Sequence, residues 1–246
     1  MKIAILSDIH EDVISLELAL QKIKKQHCEA IVCLGDISGY NVRFHNFIDH
    51  RDASACWRIL IENRAIVVAG NHDLHVCKKL PFKPHTNRFP EDWYQLDHPR
   101  KFREGGDKIW LYTDELDPLY SESDIQHLHN LPMFYIMEEK KSNILFSHYL
   151  YPNLNGSTTD FYESTSGFLQ HLQFMKEKEC TLAFCGHVHV PGLLHFNKLL
   201  QPKSFNKKIK VTANNIVLIP PVVRSISANG FCIFDTEENT VIALRI

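Results

Sequence analysis

Five short apolar stretches of this chain each end on residues that hold metals or move protons. Residues 2–7 run into Ser7-Asp8-Ile9-His10, residues 30–34 into Gly35-Asp36, and residues 65–69 into Gly70-Asn71-His72-Asp73. Residues 143–147 lead to His148, and residues 181–185 to Gly186-His187-Val188-His189. Carboxylate, imidazole and amide oxygen are hard-to-borderline donors. They suit manganese, iron, cobalt, nickel or zinc better than calcium, which prefers oxygen throughout. The donors Asp8, His10, Asp36, Asn71, His148, His187 and His189 exceed the needs of one tetrahedral ion. They do suit two divalent ions sharing a bridging carboxylate, typically about 3.5–4 Å apart. Two such ions polarise phosphoryl oxygens and lower the pKa of a water held between them from ~15.7 to about 7. The resulting metal-bridging hydroxide is a nucleophile for in-line attack on a phosphate ester. A proton donor for the leaving oxygen would complete the device.

Singly, each motif has a plainer structural reading. Gly35-Asp36 reads as a turn with a helix cap, and Asn71-His72-Asp73 as a tight turn with capping side chains. His187-x-His189 reads as half of a structural zinc clip. All five together, in order and each at a strand end, outweigh those readings.

Such donors need a scaffold that gathers distant strand ends. Residues 2–7, 30–34 and 65–69 read as buried strands. Between them, Asp12 opens an amphipathic helix with Val13, Leu16, Leu20 and Ile23 at helical spacing, and residues 54–63 form a second helix. This rhythm predicts a parallel sheet with crossover helices. Ligands of open α/β sheets bind at the carboxyl ends of the strands, where the donors fall. From about residue 76 to 140 the pattern loosens into a Pro- and aromatic-rich insert, with one short helix over 122–130. Strands follow at 143–147 and 181–185, with a helix over 166–178 between them. The tail predicts short antiparallel hairpins at about 192–196, 208–212, 216–219, 230–235 and 240–245.

The 246 residues suffice for one domain with a sizeable core. A net charge of −2 supplies no global field to recruit nucleic acid or an anionic membrane. No apolar run reaches the roughly 20 residues of a spanning helix, and the first apolar run is too short for a signal peptide. Seven cysteines, an odd number without C-x-x-C pairs, imply a reducing compartment, hence the cytoplasm. His75, His85, His98, His127, His129 and His171 read as surface or capping histidines, with His75 close enough to the third motif to line the pocket. The lysines of 203–210 read as a solvated hairpin. Arg224 fits either a substrate phosphate, gripped bidentately, or a structural ion pair.

Taken together, Asp8-Ile9-His10, Gly35-Asp36, Gly70-Asn71-His72-Asp73, His148 and Gly186-His187-Val188-His189 resemble the calcineurin-like metallophosphoesterase superfamily, in residues and in order. Leu34 to Tyr40 resembles its small bacterial branch of phosphodiesterases and diadenosine-tetraphosphatase-like proteins. The resemblance implies an α/β four-layer α/β/β/α sandwich. It places Asp8, His10, Asp36 and His189 on one metal, and Asp36, Asn71, His148 and His187 on the other, manganese foremost. It makes His72 the general acid. It implies a phosphomonoester or phosphodiester as substrate, a nucleotide or dinucleotide polyphosphate among them. The chain departs from the pattern at Tyr149, at Pro220 to Arg224, and at Gly39, where eukaryotic protein phosphatases carry an Asp that supports the catalytic His. Two alternatives remain. One is a non-catalytic scaffold like the retromer subunit of this fold, against which the complete ligand set counts. The other is a nuclease, against which the near-neutral charge counts.

Overall fold

A computed structural model describes residues 1–80, 90–139, 143–159, 165–225 and 227–246. In chain order the front half runs β1 (Lys2–Leu6), α1 (Val13–Lys25), β2 (Ala30–Cys33), α2 (Ala53–Glu62), β3 (Ile66–Val67) and α3 (Asn71–Val76). The middle adds α4 (His98–Gly105), α5 (Glu122–His129) and β4 (Phe134–Met137). The back half holds β5 (Asn143–Ser147), α6 (Thr165–Glu177), β6 (Cys180–Cys185), β7 (Leu193–Asn197), β8 (Leu199–Lys203), β9 (Ile209–Lys210), β10 (Asn215–Leu218), β11 (Gly230–Asp235) and β12 (Thr240–Arg245).

These strands form two six-stranded sheets. One is ordered β3-β2-β1-β11-β12-β9 and the other β4-β5-β6-β10-β7-β8. Strict alternation in the strands explains the layering, because successive side chains of a strand face opposite ways. Ile3 and Ile5 of β1 join Ile144 and Phe146 of β5 and Phe184 of β6 in a core between the sheets. Ala4 and Leu6 point the other way, onto Leu16, Ala19 and Ile23 of α1 and Cys56 and Leu60 of α2. Leu145 and Ala183 likewise turn outward onto Phe168, Phe174 and Met175 of α6. The result is the α/β/β/α sandwich. Each fully buried large apolar side chain contributes about 1.5–3 kcal/mol to holding it.

Local signals set the helix ends. Asp12 caps α1 by accepting from Ser15 N at 3.1 Å, and Lys22, Lys24 and Lys25 lie in its last turn, where cations favour the helix dipole. Asp52 caps α2 through Ala55 N.

β1, β2 and β3 are parallel, as the alternation of strand and helix predicts. Three expectations need correction. β3 spans two residues where five were expected, because Ala69 N leaves the ladder for Pro132 O. The tail forms antiparallel hairpins at β7–β8 and β11–β12, as expected, but its strands are divided between the two sheets. β9, β11 and β12 join the first sheet, while β7, β8 and β10 join the second, with β10 parallel to β6. Of the lysines of 203–210, Lys207 and Lys208 therefore lie on a link between sheets, while Lys203 ends β8 and Lys210 ends β9. Finally, the end of the expected insert supplies β4, an edge strand antiparallel to β5. Among the described residues no helix is long and apolar enough to cross a membrane, and all seven cysteines are free.

Candidate metal centre

Three of the five strand ends share one kind of turn. Asp8, His10, Asp36, His187 and His189 all have φ between 47° and 68°. That left-handed conformation is uncommon for side-chain-bearing residues and concentrates at functional sites. It swings each side chain off its strand and into one crevice. Close backbone approach makes the turns fit together. A Cβ on Gly70 would lie 2.1 Å from Asp36 Oδ1, so only glycine lets the second and third motifs meet.

Two sub-clusters result. Asp8, His10 and His189 form one; Asp36, His148 and His187 form the other; in each, one ligand atom per residue lies within 4.8 Å of the others. Asp36 also joins His10 and His72 in a third such group, and so sits between the two. Asn71 Oδ1 completes the second sub-cluster, 3.2 Å from His148 Nε2.

The hydrogen-bond pattern fits cations. His10 Nδ1 donates to Gly39 O at 3.1 Å, and His148 Nδ1 donates to Leu34 O at 2.7 Å. A backbone carbonyl on Nδ1 fixes the tautomer and turns the Nε2 lone pair inward, as second-shell partners of metal-ligating histidines do. Yet His10 Nε2 lies 3.1 Å from His189 Nε2, and His148 Nε2 lies 3.1 Å from His187 Nδ1. Nitrogens this close, among two carboxylates, call for positive charge between them. Asp8 Oδ1 is buried without a hydrogen-bond partner and lies 3.4 Å from His189 Nε2. Clustered carboxylates and imidazoles of this kind could bind metal ions.

The electrostatics of the protein alone divide the donors. Burial would raise the Asp8 and Asp36 carboxyls, but the surrounding histidines hold both far below the carboxylate range. Burial pulls His148 down, and the Asp36 and Asp8 carboxylates overcome it, to about 9. His187 is pushed down to about 3, chiefly by burial, with His148 adding repulsion. A bound cation would displace the proton from His148, since ligation needs the neutral imidazole.

His72 stands apart from the seven donors. Its N–H donates to Asp36 Oδ1 at 2.9 Å, its Nε2 lies 3.8 Å from Asp36 Oδ2, and its side chain is 19% exposed. Burial lowers its pKa, but Asp36 and Glu115 together raise it to about 10. The two carboxylates thus favour the protonated ring beside the centre.

Several supporting residues were not foreseen. Asp73 accepts from Asp36 N, Ile37 N, Ser38 N, Ser38 Oγ and Gly70 N, and so fixes the loop that carries Asp36. Tyr112 OH accepts from Asn71 Nδ2 at 3.1 Å, which leaves Asn71 Oδ1 facing the centre. Glu115 Oε1 lies 2.6 Å from His72 Nδ1. His45 packs its ring 5.2 Å from that of His10 and accepts Asn41 N–H at Nδ1. Asp73 stood inside a motif; the other three lie in aperiodic stretches with no sequence signal.

The two candidate substrate contacts do not join the cluster. Arg224 spends its guanidinium on buried Asp12, through Nε at 2.8 Å and Nη2 at 2.6 Å, and lies over the Phe47 ring. The bidentate grip expected for a phosphate is thus occupied by a carboxylate. His75 stacks on Tyr112 at 4.1 Å, behind the side chain that orients Asn71. Of the other histidines, His98, His127 and His129 are exposed as expected, and His85 lies outside the described residues. His171 corrects the surface reading: it lies on the buried face of α6, with no exposure, and accepts Tyr151 N–H at 2.9 Å.

A four-layer sandwich with an Asp/His/Asn cluster at the shared edge of its sheets is the architecture of metallo-dependent phosphatases. The calcineurin-like phosphoesterase family matches residues 1–191, and the chain belongs to it. It is accordingly a phosphoric ester hydrolase. The uncharacterised protein MJ0912 of Methanocaldococcus jannaschii is similar at 23% identity, over 99% of this chain and 86% of that protein. The fold is similar to that of a metallophosphoesterase from Sphaerobacter thermophilus, with a TM-score of 0.67 at 19% identity, over 100% of this chain and 88% of that one. It is also similar to hypothetical protein PH1004 from Pyrococcus horikoshii, with a TM-score of 0.62 at 17% identity, over 99% and 88%.

Proposed function

We propose that the protein hydrolyses a phosphomonoester or phosphodiester, a nucleotide or dinucleotide polyphosphate among them, at a centre of two divalent ions, manganese foremost. Asp8, His10, Asp36 and His189 would hold one ion, and Asp36, Asn71, His148 and His187 the other. When bound, the ions polarise the phosphoryl oxygens and supply a water ionised near neutral pH. The protein's own part is to place the ester and to move a proton. Backbone carbonyls on His10 and His148, and Tyr112 on Asn71, hold the donors in register. His72 donates its Nε2 proton to the leaving oxygen. Proton transfer of this kind contributes roughly 10²–10⁴-fold. The seven free cysteines support the cytoplasm as its compartment.

The observation that carries this reading is the pair of donor clusters meeting at Asp36, with His72 Nε2 beside them at 3.8 Å from Asp36 Oδ2. The test is His72→Ala, assayed on 4-nitrophenyl and phenyl esters of one phosphate with manganese. Turnover of the phenyl ester, whose leaving group needs the proton, should fall by ~10²-fold or more. Metal content measured by elemental analysis should stay unchanged. An unimpaired variant would remove the acid role.

A further inference from the structure

Glu115 belongs to the stretch between α4 and α5, far in sequence from every donor. Its carboxylate is 8% exposed, and Oε1 lies 2.6 Å from His72 Nδ1. Among the described residues His72 is the only ion-pair partner it has. The arginines nearby are committed elsewhere: Arg43 pairs with Asp114 at 3.0 Å, and Arg51 pairs with Glu11 at 3.0 Å. A buried carboxylate is costly to keep unless something else requires it.

The backbone around Glu115 is pinned to the loop that follows β2. Asn41 and Glu115 form an antiparallel bridge. Val42 N donates to Asp114 O, and Leu116 N donates to Tyr40 O. Arg51 reaches across to Leu116 O and Asp117 O. The Glu115 backbone is therefore held beside His72 by this strip.

The other side of the imidazole is equally defined. Gly39 has φ +98°, and a Cβ there would lie 2.4 Å from His72 Nδ1. No side chain from that loop can share the space, so Glu115 alone of the described carboxylates reaches Nδ1. Tyr112 and His10 meet the ring edge-on at 5.3 and 4.9 Å. With the Glu115 carboxylate in ion-pair contact with Nδ1 on one side, Nε2 faces Asp36 and the centre on the other.

We infer that Glu115 is the positioning residue of the active site, holding His72 by Nδ1 so that Nε2 carries its proton toward the leaving oxygen. It acts through His72 and touches neither substrate nor metal. The arrangement is the orienting-carboxylate logic of a catalytic triad, in which the acid fixes the ring's tautomer and direction. The inference rests on the proposed acid role of His72.

The experiment compares Glu115→Ala and Glu115→Gln with His72→Ala and the double variant, on the 4-nitrophenyl and phenyl esters of one phosphate with manganese. Glu115→Ala should lower kcat on the phenyl ester by ~30–100-fold, within the range of a lost acid. On the nitrophenyl ester it should lose no more than about threefold, since that leaving group departs without a proton. KM and metal content should not change. Glu115→Gln, which keeps an acceptor but no charge, should fall between Ala and the parent protein. The double variant should be no worse than His72→Ala, because the two residues act as one unit. In the metal-free protein the His72 Nδ1 proton should give a far-downfield NMR resonance that Glu115→Ala abolishes. Equal losses on both esters, additive losses in the double variant, lost metal or a missing resonance in the parent protein would each overturn the inference. If His72→Ala shows no preference between the esters, the acid role falls and this inference with it. If His72→Ala shows the preference and Glu115→Ala does not, only the positioning role falls.

Discussion

The centre is assembled from two regions built by different means. Its floor consists of strand ends: Asp8 after β1, Asp36 after β2, Asn71 after β3, His148 after β5 and the two histidines after β6. Its wall comes from the segment after α4 and the loop after β2, which supply Tyr112, Glu115 and His45. The floor residues Asp8, Asp36, Asn71 and His148 are no more than 1% exposed and are set by sheet geometry. The wall residues reach the site over long chain separations, as in the contact of Tyr112 with Asn71, 41 residues apart. The difference assigns the work. On the proposed reading, the sheets would gather the cations, and the segment between α4 and α5 would aim the ligands and the acid.

The strongest way to break this division is to damage the floor. His148→Asn removes a donor that touches Asp36, Asn71 and His187 at once. Elemental analysis after manganese loading and gel filtration should show the loss of about one ion per chain, as expected when a cage drops below its ligand number. Turnover should fall by ~10³-fold or more, because several kcal/mol of charge stabilisation leave with the ion. Chelation of the parent protein should reproduce the loss, and added manganese should reverse it. Full metal content in His148→Asn would mean that the floor does not hold the ions.

The same division explains what could be read from the residue string. Each floor donor follows directly on an apolar run of the right length, so motif and strand lie within a few residues of each other. Asp8 and Asp36 could therefore be placed before any fold was known. Gly70 to Asp73 was legible as a motif but not as the first turn of α3, because six residues carry too little periodicity to distinguish a turn from a helix. Wall residues have no such neighbour. Tyr112 and Glu115 lie in a stretch of prolines and aromatics without a period, and their partners are fixed only once α4, α5 and the bridge to Asn41 are in place. Arg224 shows a third case. Its two roles could not be separated by sequence, because Asp12, the partner that claims it, lies 212 residues away.

A milder change should sharpen the boundary. Tyr112→Phe leaves every donor in place but frees the Asn71 amide to rotate. Outer-shell partners of metal ligands typically matter by 10–100-fold, so manganese affinity of one site should weaken by ~10-fold in a titration. Maximal turnover at saturating metal should be nearly restored. A loss as deep as that of His148→Asn would erase the distinction between floor and wall.

The smallest expected effect on chemistry, and a clear one on stability, concerns Arg224. The loop from Pro220 to Arg224 backs the floor, with Val222 N and Val223 N donating to Ser7 O and Asp8 O. Arg224 locks that loop to Asp12, the cap of α1. Burial alone would raise the Asp12 carboxyl; hydrogen bonds from Arg224 and Ser15 outweigh it and hold Asp12 below its ordinary value. A lowered carboxyl stabilises the fold above its unfolded value near ~3.9, and that contribution disappears as pH falls through the folded value. Arg224→Met keeps the aliphatic stem over Phe47 and deletes the charge. Breaking a fully buried pair costs about 3–5 kcal/mol, and the one-third exposure of Arg224 reduces this to roughly 2. Melting should drop by ~4–8 °C at neutral pH. The gap should change below pH ~5, because the Asp12 left behind takes up its proton earlier on acidification. With metal bound, kcat and KM should stay within about threefold of the parent values, the expected behaviour of a change remote from the reacting atoms. An unchanged melting temperature with KM raised ~10-fold would instead place Arg224 on the substrate phosphate, and the wall of the site would then include the loop that backs the floor.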